Sequence, residues 1–132
     1  FGLLEIPDIR VKQYIVSGTG ENDLQFGPGH YIQTNLPGSG GNVGIAGHRT
    51  TYGAPFSRLD QIKIGDEIYL SFGPNKYFYI VDEIQIVSPE EGQYVLYNRG
   101  DDRLTLTTCH PKYSARQRLV ISGLLTKIEN IN

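Results

Sequence analysis

Sixteen glycines and seven prolines fall along the chain as punctuation between short runs rich in Val, Ile, Leu, Tyr and Thr. A chain interrupted this often reads as an all-β domain, because β-branched and aromatic residues suit a pleated surface while glycine and proline mark its turns. Residues 3–7 and Val11–Ser17 read as the first strands, and 43–47 as another. Glu67–Phe72 and 76–88 make a hairpin across Gly73-Pro74-Asn75, and 104–109 and 118–128 close the chain. In the second strand Val11, Gln13 and Ile15 alternate with Lys12, Tyr14 and Val16, a mixture that suggests burial on both sides. The run Tyr77 to Val81 suggests the same. Residues 21–26 read as one helical turn capped by Asn22 or Asp23. Residues 50–62 read as a loop with one turn that tucks Phe56 and Leu59 inward, and residues 94–97 fit strand or turn equally. About eight strands are best closed as a barrel, so that no long edge is left exposed.

A length of 132 residues suits one domain with a real core. Net charge is −2 and 39% of residues are hydrophobic, which argues against a nucleic-acid-binding surface and against long disorder. No run approaches the roughly 18 apolar residues that span a bilayer. With no methionine anywhere, the chain reads as part of a longer protein whose membrane anchor lies outside it. One cysteine excludes an internal disulfide. The three histidines, His30, His48 and His110, lack the paired spacing of a zinc site, so neither metal nor cofactor is expected.

That cysteine, Cys109, ends the strand Leu104-Thr-Leu-Thr-Thr-Cys109. Leu104, Leu106 and Thr108 face one way, and Arg103, Thr105, Thr107 and Cys109 the other. The leucines mark the core, so the thiol projects from the opposite face. A lone cysteine is more often a small buried hydrophobe than a nucleophile. A reactive one needs a base or a cation, because an unperturbed thiol near pKa 8.5 is only a few per cent thiolate at neutral pH. His110 adjoins Cys109 in extended chain and should point away. His48 ends a strand of its own, where Gly44 and Ala46 leave room for something to pass close to the backbone. It is the favoured base. Arg118 begins the strand expected to pair with the cysteine strand, while Arg116 lies in a polar loop and should be solvated. A guanidinium at position 118 could meet the oxyanion of an acyl transfer with paired donors.

These residues resemble a sortase. Thr105-Leu-Thr-Thr-Cys109, the earlier Gly47-His-Arg49 and an arginine nine positions beyond the cysteine match that family's signature. The likeness runs from Ile6-Pro7 through Gly27-Pro-Gly-His30 and Leu36-Pro-Gly38 to the last strand. The longer runs from Ala46 to Phe56 and from Thr105 to Ala115 look most like class E, with class D the nearest alternative. His110 stands where class E usually carries asparagine. The resemblance implies a sortase-type closed eight-stranded barrel over residues 1–132, anchored on the extracellular face of the plasma membrane. It also implies a cysteine transpeptidase that cuts an LPxTG or LAxTG sorting signal after threonine, through a thioester. The acceptor would be an amine of a peptidoglycan precursor or, in a pilus-building enzyme, a pilin lysine. Cys109 would be the nucleophile, His48 the acid and base, and Arg118 the oxyanion donor. Thr107, Thr108, Tyr31 and Tyr52 would line the substrate groove. Some sortases order a loop with calcium near the position of Glu90 and Glu91, but two adjacent carboxylates fall short of the six to eight oxygens that ion takes. Rival readings are a peptide-binding module that has lost turnover and a cysteine hydrolase.

Overall fold

Which face each strand turns inward follows from its alternation, and the alternation is sharpest where the barrel wall has solvent behind it. The computed structural model describes residues 1–131. Its strands are β1 (Gly2–Ile6), β2 (Val11–Ser17), β3 (Gly29–His30), β4 (Asn42–Ala46), β5 (Glu67–Phe72), β6 (Asn75–Val87), β7 (Arg103–His110) and β8 (Gln117–Asn130). They close into an eight-stranded barrel in the order β1-β2-β3-β4-β7-β8-β6-β5. Leu4, Ile6, Ile45, Ile68, Leu70, Leu104, Leu106 and Ile121 fill the interior, and Phe56 and Leu59 join the same cluster from the β4–β5 connection. The strand β3 is too short to carry a pattern, yet it closes the wall. It pairs parallel with β2 and antiparallel with β4.

Burial on two faces does occur, though in other strands than the alternation suggests. Tyr14 of β2 is 78% exposed, and Lys12 beside it is exposed too. In β6, Tyr77, Tyr79 and Val81 turn inward while Ile80 faces out. A barrel has one interior, so a second buried face needs a cover. Among the described residues, the β4–β7–β8 part of the wall receives one. There Val87, Val95, Leu96 and Val120 form a second apolar cluster with Tyr31 packed against it. Residues Glu91–Leu96 of this cover form a 3-10 helix, which resolves the ambiguity at 94–97. Beneath it Arg103, Thr105 and Thr107 are buried on the face opposite the leucines. The short helix α1 (Glu21–Leu24) has Gly20 at its cap position instead of Asn22 or Asp23. The Asp23 carboxylate instead accepts a hydrogen bond from the Gly20 N–H at 3.1 Å.

The polar groups under the cover are paired, as burial demands. Arg103 donates to Ser122 at 2.7 Å, to Asp82 at 3.0 and 3.1 Å, and to Asp101 at 3.0 Å. Thr105 donates to Asn42 Oδ1 at 2.8 Å. Asn42 in turn donates through Nδ2 to the carbonyls of Val95 and Tyr97, and its backbone N–H donates to Asn98 Oδ1. One fully buried side chain thus fastens the cover to the sheet. No helix among the described residues is long and apolar enough to cross a membrane.

The hydrogen bonds from Arg103 hold the Asp101 carboxyl below its usual range, and those from Arg99 do the same for Glu83. A carboxyl whose folded value is depressed stabilises the fold above its unfolded pKa, and that contribution is lost as pH falls through the folded value. Urea denaturation of the wild type should therefore show stability dropping below about pH 4. An Asp101→Asn, Glu83→Gln double variant should show a shallower drop over the same window. An unchanged slope would mean that these carboxyls contribute nothing to the acid sensitivity.

Candidate active site

Register brings the candidate residues together. In the parallel β4–β7 ladder Ala46 lies opposite Thr107. One residue further the pairing continues beyond β4, because the Gly47 N–H donates to the Thr107 carbonyl at 3.2 Å and Thr108 Oγ1 donates to the Gly47 carbonyl at 2.8 Å. Two steps past Ala46 and Thr107, the same alignment sets His48 beside Cys109. On the other side of β7 the antiparallel ladder pairs Cys109 with Arg118. Cross-strand partners share a face of a sheet, so positions 109 and 118 stand side by side, and His48, two residues beyond the end of β4, continues their row. All three side chains line one cleft of ≈ 330 Å³. The cleft floor is Ala46, Thr107 and Thr108, and one wall is the covering segment at Pro89, Gly92, Gln93 and Leu96.

The cysteine is free and partly exposed. His48 Nε2 is buried and has no hydrogen-bond partner among the described residues. Among the described residues no carboxylate bonds the ring; it packs against Tyr52, with centroids 5.2 Å apart and planes at 52°. Arg118 donates through Nη1 to the carbonyls of Ala115 and Gln117, at 2.8 and 3.0 Å. Its Nε and Nη2 make no hydrogen bond to the described residues. The arrangement offers a nucleophile, a proton carrier and a charged donor around one open space, which suits acyl transfer at a carbonyl. Among the described residues no group of three or more His, Cys, Asp or Glu side chains could hold a metal ion. Glu91 caps its own turn, accepting from Ser88 Oγ at 2.9 Å.

A model of the sortase domain matches residues 4–126. The chain belongs to the sortase family. It is 33% identical to "Sortase D" of Bacillus subtilis over 125 residues, covering 92% of this chain and 62% of the relative. To "Sortase SrtE1" of Streptomyces coelicolor it is 31% identical over 142 residues, covering 96% of this chain and 40% of the relative. A crystal structure of sortase E1 from Streptomyces coelicolor with a tripeptide in its active site superposes with a TM-score of 0.91 at 27% identity, covering 98% of this chain and 90% of that one. This sortase chain thus spans less than two thirds of the curated relatives' length. Relatives named sortase A, D and E all stand at 30–33% identity, so the likeness establishes the family and no class within it.

The remaining groove candidates of this sortase separate. Tyr31 lines the cleft, and its hydroxyl lies 2.8 Å from Thr107 Oγ1. Thr107 and Thr108 also line it, though the Thr108 hydroxyl is engaged by Gly47. Tyr52 does not line the cleft; it is 55% exposed and touches the site only through His48. Arg116 is exposed. The space beside Gly44 and Gly47 is filled by the protein itself. A Cβ on Gly47 would meet Phe56 Cδ2 at 2.6 Å, and one on Gly44 would meet Leu96 Cδ2 at 2.8 Å.

Sequence reasoning gave Arg49 no role beyond the signature. It is 3% exposed and donates through Nη1 to the Cys109 carbonyl at 2.6 Å. Nη2 lies 3.4 Å from Asp60, and Nη1 lies 3.4 Å from His110 Nδ1. This guanidinium ties the backbone of the cysteine to the segment carrying His48. The only hint in the sequence was an arginine directly after the histidine. Gln33, Gln93 and Leu96 of the cleft wall were also missed, since Gln33 sits in a turn and the other two in a 3-10 helix of six residues, too short to show a period.

The close approach of Phe56 makes Gly47 a test of how firmly His48 is placed. A Gly47→Ala variant should lose about 1–3 kcal/mol of stability, the usual cost of overpacking a core. Alkylation of Cys109 by iodoacetamide should change rate in the same variant, because position 47 carries both His48 and the acceptor of the Thr108 hydroxyl. Wild-type stability and an unchanged alkylation rate would show that the site does not depend on this contact.

Proposed function

We propose that this sortase chain is the catalytic domain of a cysteine transpeptidase, which cleaves an LPxTG- or LAxTG-type sorting signal between threonine and glycine and joins the threonine to an amine. The observation that carries this reading is the row of positions 48, 109 and 118 along one cleft. Cys109 Sγ attacks the threonine carbonyl, and the carbonyl oxygen takes up negative charge. Arg118, through the Nε–H and Nη2–H groups it leaves uncommitted, donates to that oxygen. The C–N bond breaks as His48 gives a proton to the departing glycine amine, leaving a thioester. An incoming amine then attacks the thioester carbonyl, His48 takes its proton, and the sulfur leaves as the new amide forms.

Reactive protonation belongs to the sulfur–imidazole pair jointly. Packing against Tyr52, with no carboxylate among the described residues bonded to the ring, leaves one ring nitrogen of His48 free to serve both half-reactions. The acceptor proposed is an amine of a peptidoglycan precursor, and the site of action is the outer face of the plasma membrane. Thr107, Thr108 and Tyr31 line the groove for the signal, with Tyr52 supporting His48.

The test is incubation with quenched LPETG and LAETG peptides plus glycine, diaminopimelate or a lysine-bearing pilin peptide, read by mass spectrometry. Wild type should give ligated product and a thioester at Cys109, and Cys109→Ala should give neither. A His48→Ala variant should lose activity by a factor on the order of 10²–10⁴. Arg118→Lys should lose about 10²–10³, the usual cost of one oxyanion donor. Activity surviving in Cys109→Ala would sink the proposal. Peptide binding that persists after the thiol is blocked, with no turnover in wild type, would favour a binding module instead. Hydrolysis that dominates despite abundant amine would favour a hydrolase.

A further inference from the structure

The cleft does not end at the covering segment. At the end away from Cys109, Gln33, Gln93 and Leu96 also line a second concavity of ≈ 390 Å³. Three shared residues make the two hollows one trough. Beyond them the second hollow is lined by Thr34, Asn35 and Asn98, together with Tyr97, and by no charged side chain.

The polar groups there divide into fixed and free. Asn98 Oδ1 accepts from the Asn42 N–H at 2.8 Å, Asn35 Nδ2 donates to Ser39 Oγ at 3.2 Å, and Thr34 Oγ1 donates to the Tyr31 carbonyl at 2.7 Å. Gln33 and Gln93, at the junction of the two hollows, are exposed, and their carboxamides make no hydrogen bond to the described residues. A carboxamide carries both an acceptor and donors, so it can meet the C=O and N–H of a peptide unit. Two such groups at a junction suit an extended backbone passing through it.

Distance sets which part of a peptide would arrive there. Strand β4 runs below the trough from Asn42, tied to Val95, Tyr97 and Asn98 at the second hollow, toward His48 at the reacting end. The two are six positions apart, about 20 Å at roughly 3.3 Å per residue. An extended peptide whose scissile carbonyl lies at Cys109, and whose N-terminal side runs along the trough, therefore reaches the second hollow about five or six residues upstream. The recognised signal ends four residues upstream of the scissile bond, with its leucine.

We infer that the amide-lined hollow is a subsite for the neutral polar stretch just before the sorting motif, with Gln33 and Gln93 holding its backbone. The inference rests on the proposed transpeptidase reading and extends it to a further determinant of substrate choice. The hollow offers hydrogen-bond partners and no countercharge to a charged residue, so neutral polar residues are preferred.

The experiment compares three peptides with wild type and with a Gln33→Leu, Gln93→Leu double variant. The probes are acetyl-LPETG-amide, the same peptide preceded by Gly-Ser-Asn, and one preceded by Gly-Glu-Glu; LAETG equivalents are used if that motif is the one turned over. Wild type should show kcat/KM about threefold to tenfold higher for the Gly-Ser-Asn peptide than for the short one, the scale of one or two added hydrogen bonds. The Gly-Glu-Glu peptide should show no such gain. In the double variant the ratio of long to short should fall to about 1, whatever happens to the short peptide itself. Equal kcat/KM for all three peptides in wild type, or a ratio preserved in the double variant, overturns the subsite and leaves the transpeptidase reading standing. Absence of turnover for every peptide counts against the transpeptidase reading, and the subsite inference falls with it.

Discussion

The alignment of β7 between β4 on one side and β8 on the other is the constraint on which the site depends. One neighbour is parallel and the other antiparallel, so three residues distant along the chain end at one level on one face. A slip of one residue in either ladder would turn a functional side chain to the wrong face. The leucines guard against that slip. Leu104 and Leu106 are fully buried in the barrel, and displacing them would cost far more than the site residues could resist. Core packing therefore sets the position of the sulfur.

The outward face of β7 is a second interior, and its polarity is unusual for a buried layer. A buried polar group is costly unless it is hydrogen-bonded. Asn42 meets that condition by joining Thr105, Val95, Tyr97 and Asn98 at once. The same bonds hold the segment that walls the cleft, so the polar network and the groove form one structure. Arg49 plays the matching role at the reacting end, where its buried charge meets the Cys109 carbonyl and Asp60. Neither Asn42 nor Arg49 belongs to the row of 48, 109 and 118, yet each fixes a surface on which that row is displayed.

Much of this was legible from alternation and punctuation. The strand containing Leu104 and Leu106 was readable because its leucines alternate with threonines, and its pairing with the strand that begins at Arg118 followed from the short polar loop between them. The inward tuck of Phe56 and Leu59 was readable too. Reading burial on both faces into β2 went wrong at Tyr14, because a mixed face looks the same whether solvent or a cover lies behind it. The burial of Thr105 and Thr107 was missed for the converse reason. Threonine suits an exposed strand face and a covered polar one equally. Tyr52, expected in the groove, packs against His48 and is absent from the cleft lining, since a residue in a loop has no ladder to fix its direction.

Local chemistry along the chain determined the all-β class, the strand that carries Cys109, the face from which its thiol projects and the signature that marks the family. These are properties of near neighbours, set by side-chain period and backbone propensity over a few residues. Tertiary structure alone decided that residues 89–98 fold over the outer face of β7, that Arg49 is buried against the cysteine backbone, and that Gln33 and Gln93 line one trough. Those contacts join residues with no periodic relation to one another, and only closure of the barrel sets the distances between them.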